Sequence, residues 1–183
     1  MSLQPEYEAR FTHVDVAGLT AKLAARGAVR AFERTLMKRV IFQNDEIEGK
    51  RGWLRLRQEA EVIMLTYKQA TGASSTVDSV LEVQTAVGDF EATQQLLEAV
   101  GLQPVRYQEN YREEWRLHEI TFDFDTWPGL PTFLEVEGPD EDAVRRVAAE
   151  LGLDFAQATF GAVDELYQQE LGRNILEEAH LTF

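Results

Sequence analysis

The chain alternates charged and apolar side chains at every second residue, in segment after segment, and this pattern is its strongest constraint. It begins near the N-terminus, in Glu6-Tyr7-Glu8-Ala9-Arg10-Phe11. Residues two apart share one face of a β-strand. Glu6, Glu8 and Arg10 therefore line one side of a strand, and Tyr7, Ala9 and Phe11 the other. A face that carries both signs of charge has two readings. It is a solvated outer surface, or it is one wall of a site that holds cations and an anion together.

The same parity recurs along the chain. Trp53, Arg55 and Arg57 oppose Leu54 and Leu56; Thr66 and Lys68 oppose Leu65 and Tyr67; Glu82 and Gln84 oppose Leu81 and Val83. Arg106, Gln108, Asn110, Arg112, Glu114 and Arg116 share one parity, and Tyr107, Tyr111 and Trp115 the other. Asp123 and Asp125 face away from Phe122 and Phe124, and Glu135 and Glu137 from Leu134 and Val136. Alternation alone fits an antiparallel sheet with one packed and one wet face. Two details favour a site. The charged faces are sorted by strand: Arg55/Arg57, Lys68 and Arg112 supply cations, while Glu6/Glu8, Asp123/Asp125 and Glu135/Glu137 supply carboxylates. Asp and Glu are also poor strand formers, yet here they recur in pairs. Two like charges ~4 Å apart repel by about 1 kcal/mol in water and about 4 kcal/mol at an effective dielectric near 20. Several converging carboxylates therefore call for a divalent cation, and an all-oxygen set suits Mg²⁺ or Mn²⁺. Neighbouring Arg and Lys suit phosphate oxygens.

Strands are expected over 3–12, 31–43, 53–59, 62–70, 77–87, 104–116, 119–126 and 132–138, and helices over 15–27, 90–100, 140–151 and 162–171. The stretch 71–75 reads as a flexible connection, 49–52 as a loop, 127–131 as a rigid loop, and the tail to Phe183 is left open. No linker, repeat or low-complexity tract interrupts the chain. The class is α+β, with one large antiparallel sheet, curved or closed, in a single domain over residues 1–183.

The formal net charge of −14 argues against a nucleic-acid or anionic-membrane partner. The 18 basic residues are nonetheless clustered, with none between Lys68 and Arg106 or between Arg116 and Arg145. No apolar run approaches the roughly 18 residues of a membrane span, and Met1–Glu6 does not read as a secretory signal. The absence of cysteine excludes disulfides and thiolate metal sites and suits a cytoplasmic location. No Walker-type glycine loop or Gly-x-Ser-x-Gly elbow is present. His13, His118 and His180 are widely spaced, and His118 falls at an expected hairpin tip.

Taken together, these motifs resemble the CYTH domain, the triphosphate tunnel metalloenzyme superfamily, over essentially the whole chain. The N-terminal Glu-x-Glu-x-Lys signature appears as Glu6-x-Glu8-x-Arg10, the Arg-x-Arg strand as Arg55-Leu56-Arg57, and the lysine strand as Lys68. The late basic position looks like Arg112, and the closing motif runs from Asp125 through Gly129-Leu130 to Glu135-Val136-Glu137. The resemblance implies a closed eight-stranded antiparallel β-barrel with peripheral helices and a polar tunnel, in a monomer or homodimer. It implies a triphosphate-containing small molecule as ligand and Mg²⁺ or Mn²⁺ as cofactor. Glu6, Glu8, Asp125, Glu135 and Glu137 would hold the metal, and Arg10, Lys38, Arg55, Arg57, Lys68 and Arg112 the phosphates. Glu82, Gln84 and Asp123 would complete the tunnel wall, with Glu6, Glu8, Arg57 and Glu137 central to catalysis. The implied activity is hydrolysis of inorganic triphosphate, thiamine triphosphate or a nucleoside triphosphate. The alternatives are cyclisation of ATP to cyclic AMP, as in class IV adenylate cyclases, and binding without turnover. The chain departs from the pattern at Asn110, which stands where another base often occurs, and in three further places. Arg10 replaces a lysine, Gln84 stands where a second carboxylate is common, and Lys38-Arg39 replace an acidic or aromatic pattern. By analogy, the helix around Tyr167 is expected to cover a tunnel mouth.

Overall fold

The alternating segments form strands that close on one another in the computed structural model, which describes residues 4–71 and 80–183. In chain order they are β1 (Gln4–Phe11), β2 (Val29–Gln43), β3 (Gly52–Glu59), β4 (Val62–Ala70), β5 (Val80–Val87), β6 (Gln103–Leu117), β7 (Ile120–Thr126) and β8 (Phe133–Gly138). Around the barrel the order is β2-β3-β4-β5-β1-β8-β7-β6, and β6 pairs back onto β2. Every one of these pairings is antiparallel. The long β2–β6 ladder closes the ring through register shifts, the kind of irregularity that bends a strand. A short ninth strand, β9 (His180–Leu181), adds in parallel to the outside of β6 and gives the open tail a place.

Among the described residues five α-helices decorate the barrel: α1 (Val16–Ala25), α2 (Asp45–Gly49), α3 (Phe90–Ala99), α4 (Glu141–Leu151) and α5 (Val163–Leu171). Asp15, Asp89 and Asp140 each accept a hydrogen bond from the backbone N–H three residues on, which fixes where α1, α3 and α4 begin. The short α2 lies where the sequence reads as turn and loop; Asn44 caps it through the Ile47 N–H. The expected connection 71–75 beyond Thr71, and the first residues of the expected strand 77–87, lie outside the described residues. No helix among the described residues is long and apolar enough to cross a membrane.

The apolar faces of the strands point outward. Ala9, Phe11, Phe122, Phe124, Leu134 and Val136 pack against Leu19 and Leu23 of α1 and Val144, Val147, Ala148 and Leu151 of α4. Val40, Phe42 and Leu56 pack beside α3, and Trp127, Leu130 and Phe133 pack beside Leu166 and Tyr167 of α5. The hydrophobic core thus lies between barrel and helices, and the interior is left to the charged faces. Phe122 is fully buried at the centre of this outer core. Phe122→Ala is expected to cost about 3–5 kcal/mol of folding stability. Urea denaturation measures this, and an unchanged midpoint would show that the outer face does not carry the core.

Candidate active site in the barrel interior

Strand register decides which charges meet. Lys68 stands opposite Glu82 across β4–β5, Glu8 opposite Glu137 and Arg10 opposite Glu135 across β1–β8. Glu135 stands opposite Asp123 across β7–β8, and Arg112 opposite Asp125 across β6–β7. Their shared parity turns these side chains inward around a cavity of about 670 Å³. Every candidate site residue read from the sequence lines this cavity except Lys38.

Lys38 is exposed on the outer face of β2, opposite Gln58 and Glu109. The inward residues of β2 are Arg39, Ile41 and Gln43, while Val40 and Phe42 belong to the outer core. Lys38 is therefore corrected from a phosphate contact to a surface residue, and Arg39 is the cation that faces the cavity. Val40 and Phe42, as an outward apolar pair, carried the parity signal that separates the two. Arg51, Arg106 and Gln108 also line the cavity and were not among the candidate site residues.

One part of the interior is tightly paired. Arg112 donates to Asp125 through Nε (2.6 Å) and Nη2 (2.5 Å), to Glu135 through Nη2 (2.8 Å), and also to Asp123. Arg10 donates through Nη2 to Glu135 (2.7 Å), to Glu8 (3.3 Å) and to the carbonyl of Gly161 (3.2 Å). A guanidinium can serve acceptors on three segments at once, so Arg10 ties β1 to β8 and to the loop before α5. Lys68 Nζ reaches both carboxylate oxygens of Glu6 (2.6 and 2.7 Å) and Glu82 (3.2 Å).

The carboxylates respond differently to this crowding. Burial alone would raise Glu135, but Arg10 and Arg112 outweigh it and hold its carboxyl at about 2. Burial, with the charges of Glu135 and Glu6, pushes Glu8 well above the usual carboxylate range. Burial also raises Asp123, with Arg112 opposing, and Asp123 Oδ1 is buried without a hydrogen-bond partner. Protein packed around Glu137, together with the charge of Glu6, lifts it to about 7. The Glu137 residue as a whole stays open to solvent at the cavity rim, so the neighbouring charge is the firmer of the two causes.

The opposite wall is short of anions. Arg57 pairs with Glu59, but Arg55 Nε and Arg39 Nε are buried without partners. Burial and the charge of Arg57 push Arg55 down to about 10 and Arg39 well below its ordinary value. A guanidinium keeps its proton inside proteins. These shifts therefore register cations held where they are disfavoured, and an anion would relieve them. Gly161 and Ala162, the first turn of α5 (Val163, Asp164 and Glu165), and Ile175 and Leu176 flank the cavity, whereas Tyr167 does not line it. Tyr167 holds α5 in place from within the outer core, donating its hydroxyl to the carbonyl of Pro128 at 2.7 Å.

The profile of the CYTH domain matches residues 5–159. The chain belongs to the CYTH domain family. Solved structures share its fold at low identity. The PH1012 protein from Pyrococcus horikoshii OT3 is 21% identical, with a TM-score of 0.67 over 84% of this chain and 93% of its own. A candidate adenylate cyclase from Vibrio parahaemolyticus is 15% identical, with a TM-score of 0.75 over 91% and 99%. HpAC1 from Hippeastrum, a candidate adenylyl cyclase for which a dominant triphosphatase activity is reported, is 14% identical, with a TM-score of 0.57 over 98% and 100%. No curated protein matches the chain.

CYTH tunnel enzymes generally depend on divalent metals. As the side chains lie, no three carboxylates among the described residues are gathered closely enough to grip an ion. Lys68 and Arg10 hold Glu6, Glu8 and Glu135 instead. The donor chemistry of this CYTH interior nevertheless fits a hard dication, because it offers carboxylate and amide oxygens and no histidine or cysteine among the described lining residues. The orphaned Asp123 Oδ1 and the mutual repulsion at Glu8 mark where positive charge is wanted.

Arg112 is the main counter-ion of three inward carboxylates. Arg112→Ala is expected to cost about 3–5 kcal/mol of stability, since it strands buried charge. Chemical denaturation near neutral pH tests this, and a loss below about 1 kcal/mol would mean that Arg112 does not organise the interior.

Proposed function

We propose that this protein hydrolyses a triphosphate-containing small molecule inside the barrel, in the presence of Mg²⁺ or Mn²⁺. The supporting observation is the division of the interior into two walls. Arg39, Arg55 and Arg57 on β2 and β3, two of them with unpartnered Nε atoms, stand across the ring from the carboxylates of β1 and β8. A chain of phosphates complements the first wall and a dication the second. The cavity volume of about 670 Å³ lies within the range of small-ligand sites.

On this reading Arg55, Arg57, Arg10, Lys68 and Arg112 hold the phosphate oxygens. Guanidinium groups pre-aimed in a low-dielectric interior stabilise charge that builds on the transferring phosphoryl group. Glu6, Glu8, Asp125, Glu135 and Glu137 would hold the dication, which when bound neutralises phosphate charge and polarises phosphoryl oxygens. Water attacks the terminal phosphorus in line; its oxygen bonds to that phosphorus as the bridging P–O bond breaks, giving orthophosphate and the shortened phosphate chain as leaving group. The role of the barrel is to orient the phosphates and to restrict access to them.

The wild-type protein is expected to release phosphate from tripolyphosphate with Mg²⁺ or Mn²⁺. Arg57→Ala and Glu137→Gln are expected to lower kcat/KM about 10²–10³-fold. Unchanged rates in both variants would overturn the assignment. Cyclic AMP formed from ATP in place of released phosphate would replace hydrolysis with cyclisation.

A further inference from the structure

We propose that Arg39 is a substrate-binding residue that takes the innermost phosphate group and so limits how far the phosphate chain enters the barrel. This role rests on the triphosphate reading above.

Arg39 is only 5% exposed, yet it lines the cavity. It stands opposite Arg57 on β3 and opposite Gln108 on β6, so no strand neighbour at its level supplies a carboxylate. A guanidinium carries five N–H donors. Among the described residues Arg39 finds one side-chain acceptor, the neutral Oδ1 of Asn110, and its Nε has none. Asn110 in turn donates to Asp125 Oδ1 at 3.1 Å, so that carboxylate reaches Arg39 only through an amide.

The group is also held rigidly. Its Cζ lies 4.5 Å from the centre of the Trp127 ring, and Trp127 is itself buried. Stacking on an indole steadies a cation but leaves the edge of the guanidinium free for an anion. The cavity lining on β2 runs Gln43, Ile41, Arg39 and stops there; Met37, two residues on, is sealed from solvent, as is Asn110 opposite it. Arg39 therefore stands at the inner limit of the cavity on this side. Trp53, Arg55 and Arg57 lead toward it along β3. A buried guanidinium beside Arg55 and Arg57, with no acid at its own level, disfavours the free protein and favours a bound polyanion.

The test compares wild-type, Arg39→Met and Arg39→Lys proteins. Calorimetry gives the affinity for tripolyphosphate, and thermal unfolding is measured without ligand. Loss of a charge-assisted anchor is expected to weaken tripolyphosphate binding about ten- to hundredfold in Arg39→Met. Arg39→Lys, which keeps the charge, is expected to fall between that variant and the wild type. Arg39→Met is also expected to unfold at a higher temperature than wild type, because a like-charge repulsion is removed. A purely structural Arg39 would give the reverse: lower thermal stability and affinity within about twofold of wild type. That result overturns the role. A crystal structure of the wild-type protein with tripolyphosphate gives an answer independent of the variants. A phosphate oxygen within hydrogen-bonding distance of Arg39 Nε supports the role, and an Nε still without an anion overturns it. Tripolyphosphate that binds through Arg39 without turnover would overturn the proposed hydrolysis and leave the anchor standing. Wild-type protein that binds no tripolyphosphate would overturn both.

Discussion

Charge balance inside a closed barrel is the constraint on which the rest of this structure depends. A charge taken out of water is costly unless partners surround it. Half of the interior meets that condition: Arg112 among Asp123, Asp125 and Glu135, and Lys68 between Glu6 and Glu82. The other half does not, because Arg39 and Arg55 face one another's strands with too few acceptors. The paired half fixes the geometry. The unpaired half leaves a cationic surface whose free energy falls when an anion arrives.

An interior of this kind is tolerated because stability is generated elsewhere. Small barrels usually fill their lumen with apolar side chains. Here the apolar faces of β1, β7 and β8 turn outward onto α1 and α4, and those of β2 and β3 turn toward α3. The helices are thus a structural requirement of the polar lumen, since without them Phe122, Leu134 and Val136 would face water. Functional sites commonly give up stability in this way, and a core placed outside the barrel makes the loss bearable.

Most of this was legible in the sequence because a strand has a period of two. Once Glu6, Arg55, Lys68, Arg112, Asp125 and Glu135 were assigned to strand faces, a closed antiparallel sheet had to gather them on one side of its wall, and the sorting of cations and carboxylates by strand pointed to the inside. The exceptions have physical causes. Lys38 and Arg39 are adjacent cations on a long strand with register shifts, where parity counted from a distant start is ambiguous; the outward packing of Val40 and Phe42 resolves it. The short α2 was hidden because a helix of five residues has no periodicity to display. The parallel β9 depends on a long-range docking against β6 that no local pattern encodes. Nor could spacing foretell which carboxylate each cation would hold, since Arg10 and Glu135 are 125 residues apart.

If the proposed function holds, those pairings would let one interior serve two ligands of opposite charge. Glu6 and Glu8, the carboxylates of the N-terminal signature, are held by Lys68 and Arg10. Lys68 and Arg10 are also among the cations assigned to phosphate. On the proposed function, an incoming phosphate chain would compete for them and free Glu6 and Glu8, and a dication that took those carboxylates would loosen Lys68 and Arg10, which Glu82 and Glu135 also hold. Each ligand would then lower the cost of binding the other, and linkage would make that coupling the same in both directions. Arg39 and Arg55 stand outside this exchange, because among the described residues neither forms a hydrogen-bonded ion pair with a carboxylate. On the proposed function the anion would therefore be drawn first to the β2–β3 wall, and the paired cations would engage as their carboxylates turned to the metal.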